Sequence, residues 1–421
     1  RDGTQPSKIS DIQNLLPEKS VLMEYVRYEP VDSTDGAEQF DSNQYRYAVY
    51  LLFPDGRILS ADLGEAGTIE EDIDTLTTSL SDSDVPLDTI RRQSQKLELA
   101  ILAPIRAELS DVDRLLISPN ERLNLIPFET LLSVDNRYLV QDFKVSYLNS
   151  GREVTRFDLV PSSDSEPVII AAPRYGQSSQ NKEGSVKENL RSVDLLSLTV
   201  APLRWAVQEG QMLSELIPEA TLLLGADANE SSLKQVRTPS LLHIATHGIF
   251  LAGNPVQNAE VSEARRAYEI PTENPLLRSM LALANFNRRG TDSSQEDGVF
   301  TALEASTLNL YGTELVTLSA CETGQGEVVS GGSVYGLRRS FMIAGAESLL
   351  MSLWQVEDEG TAEIMALYYK NILEGMERSE AMRQIQLEMI TSENVGERHP
   401  SRWGAFILTG NWRPIEGSRT R

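Results

Sequence analysis

A histidine and a cysteine occupy equivalent positions at the ends of two apolar runs of the sequence. The run SLLHIATHG ends at His247 and Gly248, and the run TELVTLSAC ends at Cys321, the only cysteine of the chain. If both runs are neighbouring parallel strands, His247 and Cys321 lie side by side at one edge of a sheet. A thiol beside an imidazole is the arrangement that a nucleophile and its acid–base partner require. The sequence therefore predicts a Cys–His dyad, with Cys321 as nucleophile and His247 as general acid and base.

Glycines follow both members of this predicted pair. Glycine lets the backbone turn sharply and lets a substrate carbonyl approach main-chain N–H groups, so the N–H groups of Gly248 and Cys321 are the predicted oxyanion donors. The segment ETGQGEVVSGGS after the cysteine is predicted to be a loop that can rearrange beside the thiol. Val329 stands where a dinucleotide-binding fingerprint needs glycine, and no Gly-Lys-Ser/Thr follows, so nucleotide binding is not predicted.

Each of these residues also has a structural interpretation. A lone cysteine is often a small buried hydrophobe, and a histidine at a strand end is often a hydrogen-bonded structural residue. His243 would stand about 13 Å from His247 on a strand, at about 3.3 Å per residue, so the two cannot share a metal ion. We expect His243 to be a core residue or to contact the residues of the dyad from behind. We expect His399 to cap a loop before the last strand. The sequence HIATH lacks the glutamate of the zincin pattern, and neither a metal ion nor a cofactor is predicted.

An acidic run follows the strand-like segment SLLMSLW. Asp358 can be explained as the N-cap of the next helix, where the helix dipole favours acidic side chains. It can equally belong to an acidic pocket that pairs with an Arg or Lys of a peptide. The predicted substrate-binding residues are Asp358, Glu322 beside the thiol, and Trp354 at the end of the strand.

The amino-acid composition limits the classes of molecule that the protein is expected to bind. The 421 residues include 38 basic and 62 acidic side chains, a net charge of −24, which disfavours nucleic-acid phosphates and anionic membrane surfaces but attracts basic peptides. A single cysteine permits no internal disulfide, and no apolar run reaches the length of a membrane-spanning helix. With no basic, hydrophobic leader, these features predict a cytoplasmic protein. Because the chain begins with arginine rather than methionine, we expect a region upstream of residue 1.

Apolar periodicity divides the chain into four parts. Residues 1–19 are predicted to be a polar linker, residues 20–160 an α/β half with a hairpin around PDGRIL, and residues 416–421 a polar tail. Residues 161–415 alternate continuous apolar strands with helices, which predicts an α/β fold with a mostly parallel sheet flanked by helices. The span from Phe250 to Val299 is predicted to be a partly ordered insertion.

Several of these motifs together resemble the CHAT-domain family. They are HIATHG, LSACETGQG, GLRRSFMIAGA, SLWQVED and HPSRWGAFILTG, with LLISPNERLNLIPFETLL and RYLVQDFKVSYLNS upstream. The resemblance runs from about Ser20 to Asn411. It implies a caspase-like fold in the clan of caspases, separase, legumain and gingipains, with the upstream half resembling a degenerate companion of the catalytic half.

The resemblance also implies a function. It makes the chain a cysteine endopeptidase with His247 and Cys321 as its dyad, and the similarity of LWQVED to a separase motif places Asp358 in a pocket for arginine. Cleavage after other residues is known in the family, so the arginine preference is a hypothesis. Family members are commonly activated by a protein partner or through attached tetratricopeptide repeats, and one or the other is expected here besides a protein or peptide substrate. The alternatives are a catalytically silent interaction module, a sensor whose catalysis depends on a partner, and a thiol amidase for a small molecule.

Overall fold

A computed structural model describes residues 8–30, 45–159, 161–176, 198–250, 275–288, 296–319, 332–354, 356, 358–394 and 396–416. The chain forms two compact units, each discontinuous in sequence. Unit 1 comprises Arg1–Ser162, Glu347–Gly360 and Leu367–Arg421, and unit 2 comprises Ser163–Ala346 and Thr361–Ala366. The domain limits at residues 19, 160 and 415 stay predictions.

The described strands number fourteen. They are β1 Ser20–Tyr28, β2 Arg46–Leu52, β3 Ile58–Glu65, β4 Arg114–Ser118, β5 Lys144–Tyr147, β6 Val168–Pro173, β7 Thr221–Gly225, β8 Leu241–Ala245, β9 Gly248–Phe250, β10 Ser279–Ala282, β11 Val299–Thr301, β12 Leu315–Ser319, β13 Ser348–Ser352 and β14 Phe406–Gly410.

The described α-helices are α1 Ile9–Gln13, α2 Ala66–Leu80, α3 Leu87–Ile101, α4 Leu139–Asp142, α5 Ala206–Leu216, α6 Glu230–Gln235, α7 Ala302–Ala305, α8 Gly332–Ile343, α9 Asp358–Leu373, α10 Arg378–Thr391 and α11 Pro400–Trp403. Short 3-10 helices cover Ala103–Leu109, Glu121–Leu125, Phe128–Thr130, Gly151–Arg156, Pro275–Leu277 and Phe286–Arg288. Within the described residues, no helix combines the length and the apolar character needed to cross a membrane.

Unit 1 contains the strand order β3-β2-β1-β4-β5-β14-β13. The pairs β1–β4, β4–β5 and β5–β14 are parallel, whereas the pairs β1–β2, β2–β3 and β13–β14 are antiparallel. The predicted hairpin around PDGRIL is confirmed, because β2 and β3 pair in antiparallel fashion. The Phe53 N–H donates a 3.0 Å hydrogen bond to the Arg57 carbonyl across the turn, and Gly56 takes the positive φ of 93° that this turn needs. Helices α2 and α3 each bury one apolar face. The buried residues of that face are spaced three and four positions apart, as expected for an amphipathic helix.

Unit 2 contains two sheets. Four fully parallel strands run in the order β12-β8-β6-β7, and β9, β10 and β11 form a separate antiparallel sheet. Strands β8 and β12 are buried at all five positions, which explains their continuous apolar sequences. The predicted class, an α/β fold with a mostly parallel sheet flanked by helices, is confirmed.

The antiparallel sheet of unit 2 was not predicted. The described part of the span from Phe250 to Val299, which was predicted to be a partly ordered insertion, packs in the core, because β10 is buried at all four positions and Phe286 is completely buried. These residues form one apolar cluster with Tyr175, Val200 and Ile249. Strands of three or four residues are too short to show a periodic pattern, so only their apolar character was visible in the sequence.

Candidate active site

The two strands that precede His247 and Cys321 are parallel neighbours, as predicted. The register of β8 and β12 runs from Leu241 opposite Leu315 to Ala245 opposite Ser319. His247 follows the last pair by two residues and is described, whereas Cys321 and Glu322 lie outside the described residues. The structure therefore describes the histidine side of the predicted dyad.

His247 lies where the chain leaves the parallel sheet and enters the antiparallel one. Its carbonyl oxygen accepts a 2.9 Å hydrogen bond from the N–H of Ala282, the last residue of β10. Its side chain is 4% exposed. The backbone on both sides of the residue is therefore held by a sheet.

The imidazole of His247 has a defined hydrogen-bond partner. Its Nε2 lies 2.6 Å from the carbonyl oxygen of Ala201. Because a carbonyl oxygen can only accept, Nε2 carries the proton, and the neutral ring has its lone pair on Nδ1. In this tautomer Nδ1 is the nitrogen that can take a proton from a thiol.

An aromatic side chain packs against the same ring. The ring centroids of Tyr175 and His247 are 5.3 Å apart, with an interplanar angle of 51°. The Tyr175 hydroxyl is 3.0 Å from the hydroxyl oxygen of Thr246, and the Thr246 hydroxyl donates to the carbonyl of Ala282. Since Thr246 has one proton to donate, the Tyr175 hydroxyl is the donor between them. This chain of hydrogen bonds fixes the aromatic ring that supports His247.

The N–H of Gly248, a predicted oxyanion donor, is not paired with β10. In an antiparallel ladder, hydrogen-bonded and non-bonded pairs alternate. The bond from Ala282 to His247 makes the next pair, Gly248 and Leu281, a non-bonded one. This alternation directs the Gly248 N–H away from β10.

The backbone before Tyr175 departs from regular strand geometry. Ala172 has a φ of +47°, and the register of β6 against β7 shifts between Ala171 and Pro173. A non-glycine residue in this region costs roughly 1–3 kcal/mol and persists only where the surroundings enforce it. The irregularity lies directly before the segment that brings Tyr175 against His247.

The other two histidines have structural partners. His243 Nε2 lies 2.9 Å from Glu209 Oε1 of α5, and the two side chains are 1% and 3% exposed, so His243 is the core residue that we expected. His399 is the N-cap of α11, where its Nδ1 accepts a 3.3 Å hydrogen bond from the Ser401 N–H, and its predicted capping role is confirmed.

The remaining predicted substrate-binding residues belong to unit 1. Trp354 is 3% exposed, and its indole N–H donates a 2.7 Å hydrogen bond to the Ser401 carbonyl. Asp358 is the first residue of α9 rather than the residue before it, and its side chain lies outside the described part of the structure. The substrate-binding roles of Trp354, Asp358 and Glu322 stay predictions.

Sequence reasoning missed the residues that support His247. Thr246 stood inside the motif HIATHG, and Tyr175 followed an apolar strand, but neither has an extended pattern that indicates a contact with His247. Ala201 contributes only a main-chain carbonyl, which leaves no signal in the residue type. Among the described residues, no group of three or more His, Cys, Asp or Glu side chains could hold a metal ion.

Comparisons with known proteins extend these observations. The family model described as the CHAT domain matches residues 91–411. Tetratricopeptide repeat protein 28 of Homo sapiens is 25% identical over 300 residues, which are 69% of this chain and 12% of that protein. The protein of the same name from Mus musculus is 26% identical over 302 residues, with the same shares. The chain thus spans 12% of the length of these curated relatives.

The chain is also similar to solved structures, and two of them show the extent of the match. The Saccharomyces cerevisiae separase–securin complex has a TM-score of 0.49 at 9% identity, with 95% of this chain and 30% of that chain covered. The arginine-specific cysteine proteinase gingipain R has a TM-score of 0.39 at 9% identity, with 83% and 75% covered.

Proposed function

The chain belongs to the CHAT domain family, and we propose that it is a cysteine endopeptidase that cleaves protein substrates with a His247–Cys321 dyad. The observation that carries the proposal is the register of β8 and β12, in which Ala245 pairs with Ser319. His247 follows Ala245 by two residues, and Cys321 follows Ser319 by two residues. Reactive groups in parallel sheets collect at the carboxyl ends of the strands, which supports this pairing.

The hydrogen bond from His247 to Ala201 supports a role as general base. With Nε2 protonated, Nδ1 accepts the proton of the Cys321 thiol, and the sulfur attacks the carbonyl carbon of the substrate peptide bond. The electron pair of that carbonyl moves to its oxygen, which the N–H groups of Gly248 and Cys321 stabilise. The Ala201 carbonyl stabilises the imidazolium that forms, because its oxygen faces the Nε2 proton.

The second half of the proposed reaction returns the dyad to its starting state. The imidazolium gives the Nδ1 proton to the leaving amine as the carbon–nitrogen bond breaks, and a thioester on Cys321 remains. His247 then takes a proton from water, and the hydroxide attacks the thioester carbonyl. As the carbon–sulfur bond breaks, the sulfur recovers the proton from His247 and the carboxylic acid product leaves.

We further propose that substrates carry a basic residue before the cut. Asp358 is the proposed partner of that residue, with Glu322 adding negative charge and Trp354 supporting the pocket wall. The net charge of −24 favours the approach of basic peptides. The site as proposed needs neither a metal ion nor a cofactor, since the nucleophile and the acid–base group are both side chains.

The burial of His247 supports regulation of the site. A side chain that is 4% exposed needs a change in its surroundings before a peptide can reach it. The relatives with tetratricopeptide repeats lead us to propose that such repeats or a separate protein partner supply that change in the cytoplasm. The same burial also fits a second candidate, a catalytically silent interaction module.

Digestion of a peptide library tests the proposal. Wild type is compared with Cys321→Ala and His247→Ala, alone and with the native sequence upstream of residue 1. We expect each substitution to lower kcat/KM by about 100-fold or more, which is the usual scale for losing a general acid–base group. His399→Ala is the matched histidine control, and it is expected to retain activity because His399 caps α11.

The outcomes separate the two candidates. Cleavage that persists unchanged in Cys321→Ala or His247→Ala rules out the dyad. Absence of cleavage in both the short and the extended chain favours the silent module instead.

A further inference from the structure

The carbonyl that holds His247 lies on a segment without regular secondary structure. Residues 198–203 belong to neither a helix nor a strand, and Ala201 itself is exposed. No ladder of backbone hydrogen bonds therefore fixes the position of this carbonyl. Something else must hold it 2.6 Å from Nε2 of His247.

The side chain of Asn287 forms hydrogen bonds with Val200, the residue before Ala201. The Oδ1 of Asn287 accepts a 3.0 Å hydrogen bond from the N–H of Val200, and its Nδ2 donates 2.9 Å to the Val200 carbonyl. The same Nδ2 donates 3.1 Å to the carbonyl of Gly176. Asn287 thus binds both main-chain groups of Val200 and joins them to the segment that carries Tyr175.

The backbone that carries Asn287 is held in place by a hydrogen bond and by close packing. It belongs to the short helix Phe286–Arg288, and its own N–H donates 2.8 Å to the carbonyl of Tyr175. Phe286 is completely buried, and a Cβ on Gly298 would stand 2.3 Å from the Phe286 nitrogen. Gly298, with its φ of +75°, is therefore the residue type that this close approach requires.

We infer that Asn287 is a positioning residue that sets the tautomer of His247 by fixing the Val200–Ala201 segment. A carboxamide is needed because it offers an acceptor for the Val200 N–H and donors for two carbonyls at once. When the segment is released, the Ala201 carbonyl no longer holds the proton on Nε2, and neutral His247 also populates the form protonated on Nδ1. That form lacks the lone pair that would accept the thiol proton. The catalytic meaning of this inference rests on the proposed function, whereas the tautomer itself does not.

Nitrogen NMR of the histidine side chains tests the inference. The chain has three histidines, so selective ¹⁵N-histidine labelling gives a simple spectrum, and the His247 signals are assigned by their loss in His247→Gln. In wild type at a pH where the ring is neutral, Nε2 is expected to show the shift of a protonated nitrogen and Nδ1 that of an unprotonated one. A wild-type spectrum with the opposite pattern overturns the inference without any variant.

Substitution of Asn287 gives the second comparison. Asn287→Ala removes all three side-chain hydrogen bonds, and we expect the two His247 nitrogen shifts to move toward each other as the tautomers mix. Asn287→Asp has nearly the same volume and keeps an acceptor for Val200, but it loses both donated bonds, so the same direction of change is expected. If Asn287→Ala does not fold, Asn287→Asp decides the comparison. Unchanged His247 shifts in a folded variant overturn the inference.

A matched asparagine elsewhere in unit 2 is the control. Asn229 is the N-cap of α6, accepting 2.8 Å from the Ser232 N–H and donating 2.9 Å to the Ala226 carbonyl. Asn229→Ala therefore also loses side-chain hydrogen bonds but is expected to leave the His247 shifts unchanged. Shifts that move equally in Asn229→Ala would show a general loosening and contradict a specific role for Asn287.

Kinetics separate this inference from the proposed function. If the chain cleaves peptides, Asn287→Ala is expected to lower kcat by about tenfold, less than the roughly 100-fold or greater loss expected when the general acid–base group itself is removed, while KM is unchanged. If it cleaves nothing, the proposed function fails and the NMR comparison still decides the role of Asn287. Cleavage with an unchanged NMR spectrum in Asn287→Ala contradicts the positioning role alone.

Discussion

At the scale of single residues, two polar groups buried in the core have well-defined hydrogen-bond partners. The clearest case besides His247 is Glu129 of unit 1, whose side chain accepts a 2.5 Å hydrogen bond from the Tyr147 hydroxyl. That hydroxyl in turn accepts a 2.7 Å bond from the Phe128 N–H. Burial raises the pKa of Glu129 to about 7, and the bond from Tyr147 opposes the rise. A carboxyl with such a pKa makes stability depend on pH.

The sign of this dependence follows from the two pKa values. Below pH 4.5, the ordinary value, Glu129 is protonated in both the folded and the unfolded chain, and its burial as a charge costs nothing. As the pH rises from there to about 7, the unfolded chain loses the proton first, so the free energy of unfolding falls. Above about pH 7, the buried charge of Glu129 lowers the free energy of unfolding by its full amount, roughly 3 kcal/mol.

Glu129→Gln should remove this dependence, since an amide keeps an acceptor for Tyr147 and carries no charge. We expect the variant to be more stable than wild type at pH 8 and to approach it at pH 4. Urea unfolding at both pH values measures the difference. A variant whose advantage over wild type is the same at the two pH values would contradict the raised pKa.

At the scale of elements, the packing of α5 on the parallel sheet supports the strand that leads to the site. A Cβ on Gly210 would stand 2.9 Å from the Cβ of Ala171 and 3.3 Å from a methyl carbon of Leu222. Glu209, the preceding residue of α5, reaches His243 on β8. The close approach of α5 and the Glu209–His243 contact therefore depend on the same glycine.

Gly210→Ala should force α5 away from the sheet. Overpacking of this kind costs about 1–3 kcal/mol of the free energy of unfolding. Gly67→Ala is the matched control on α2, where a Cβ would meet nothing within 4 Å, and we expect it to be neutral or stabilising by about 0.5–1 kcal/mol. Denaturant unfolding of both variants checks the contrast, and equal effects would contradict the packing account.

The elements were easier to predict than the contacts among them. Strands β8 and β12 could be predicted because each is a continuous apolar run ended by polar or glycine residues, and this also identified His247. The sheet of β9, β10 and β11 was missed because its strands are too short for a pattern. Ala201 and Asn287 were missed because one acts through its backbone and the other binds irregular backbone, where neither period nor propensity carries information.

At the scale of the whole molecule, the charge balance is the property most relevant to function. The excess of 24 negative charges creates a field that attracts cationic ligands and repels anionic ones. Salt screens such a field, with a Debye length of about 8 Å at physiological ionic strength. The proposed preference for basic substrates should therefore depend on salt.

A salt series on two peptides examines this dependence. Raising the ionic strength from about 0.05 to about 0.5 M is expected to lower kcat/KM for a peptide with several Lys and Arg residues by roughly tenfold. A neutral peptide with the same cleavage site should change little. Equal salt effects on the two peptides would contradict electrostatic attraction of the substrate.

The central claim is that His247 activates Cys321 toward a peptide, and covalent labelling tests it most directly. Because Cys321 is the only cysteine, intact-mass analysis of the reaction with an arginine-containing peptidyl chloromethyl ketone follows thiol labelling at one residue, and Cys321→Ala reveals any alkylation of histidine. We predict rapid single labelling of wild type, none of Cys321→Ala, and labelling of His247→Ala that is slower by about 100-fold. Labelling of His247→Ala at the wild-type rate would contradict the claim.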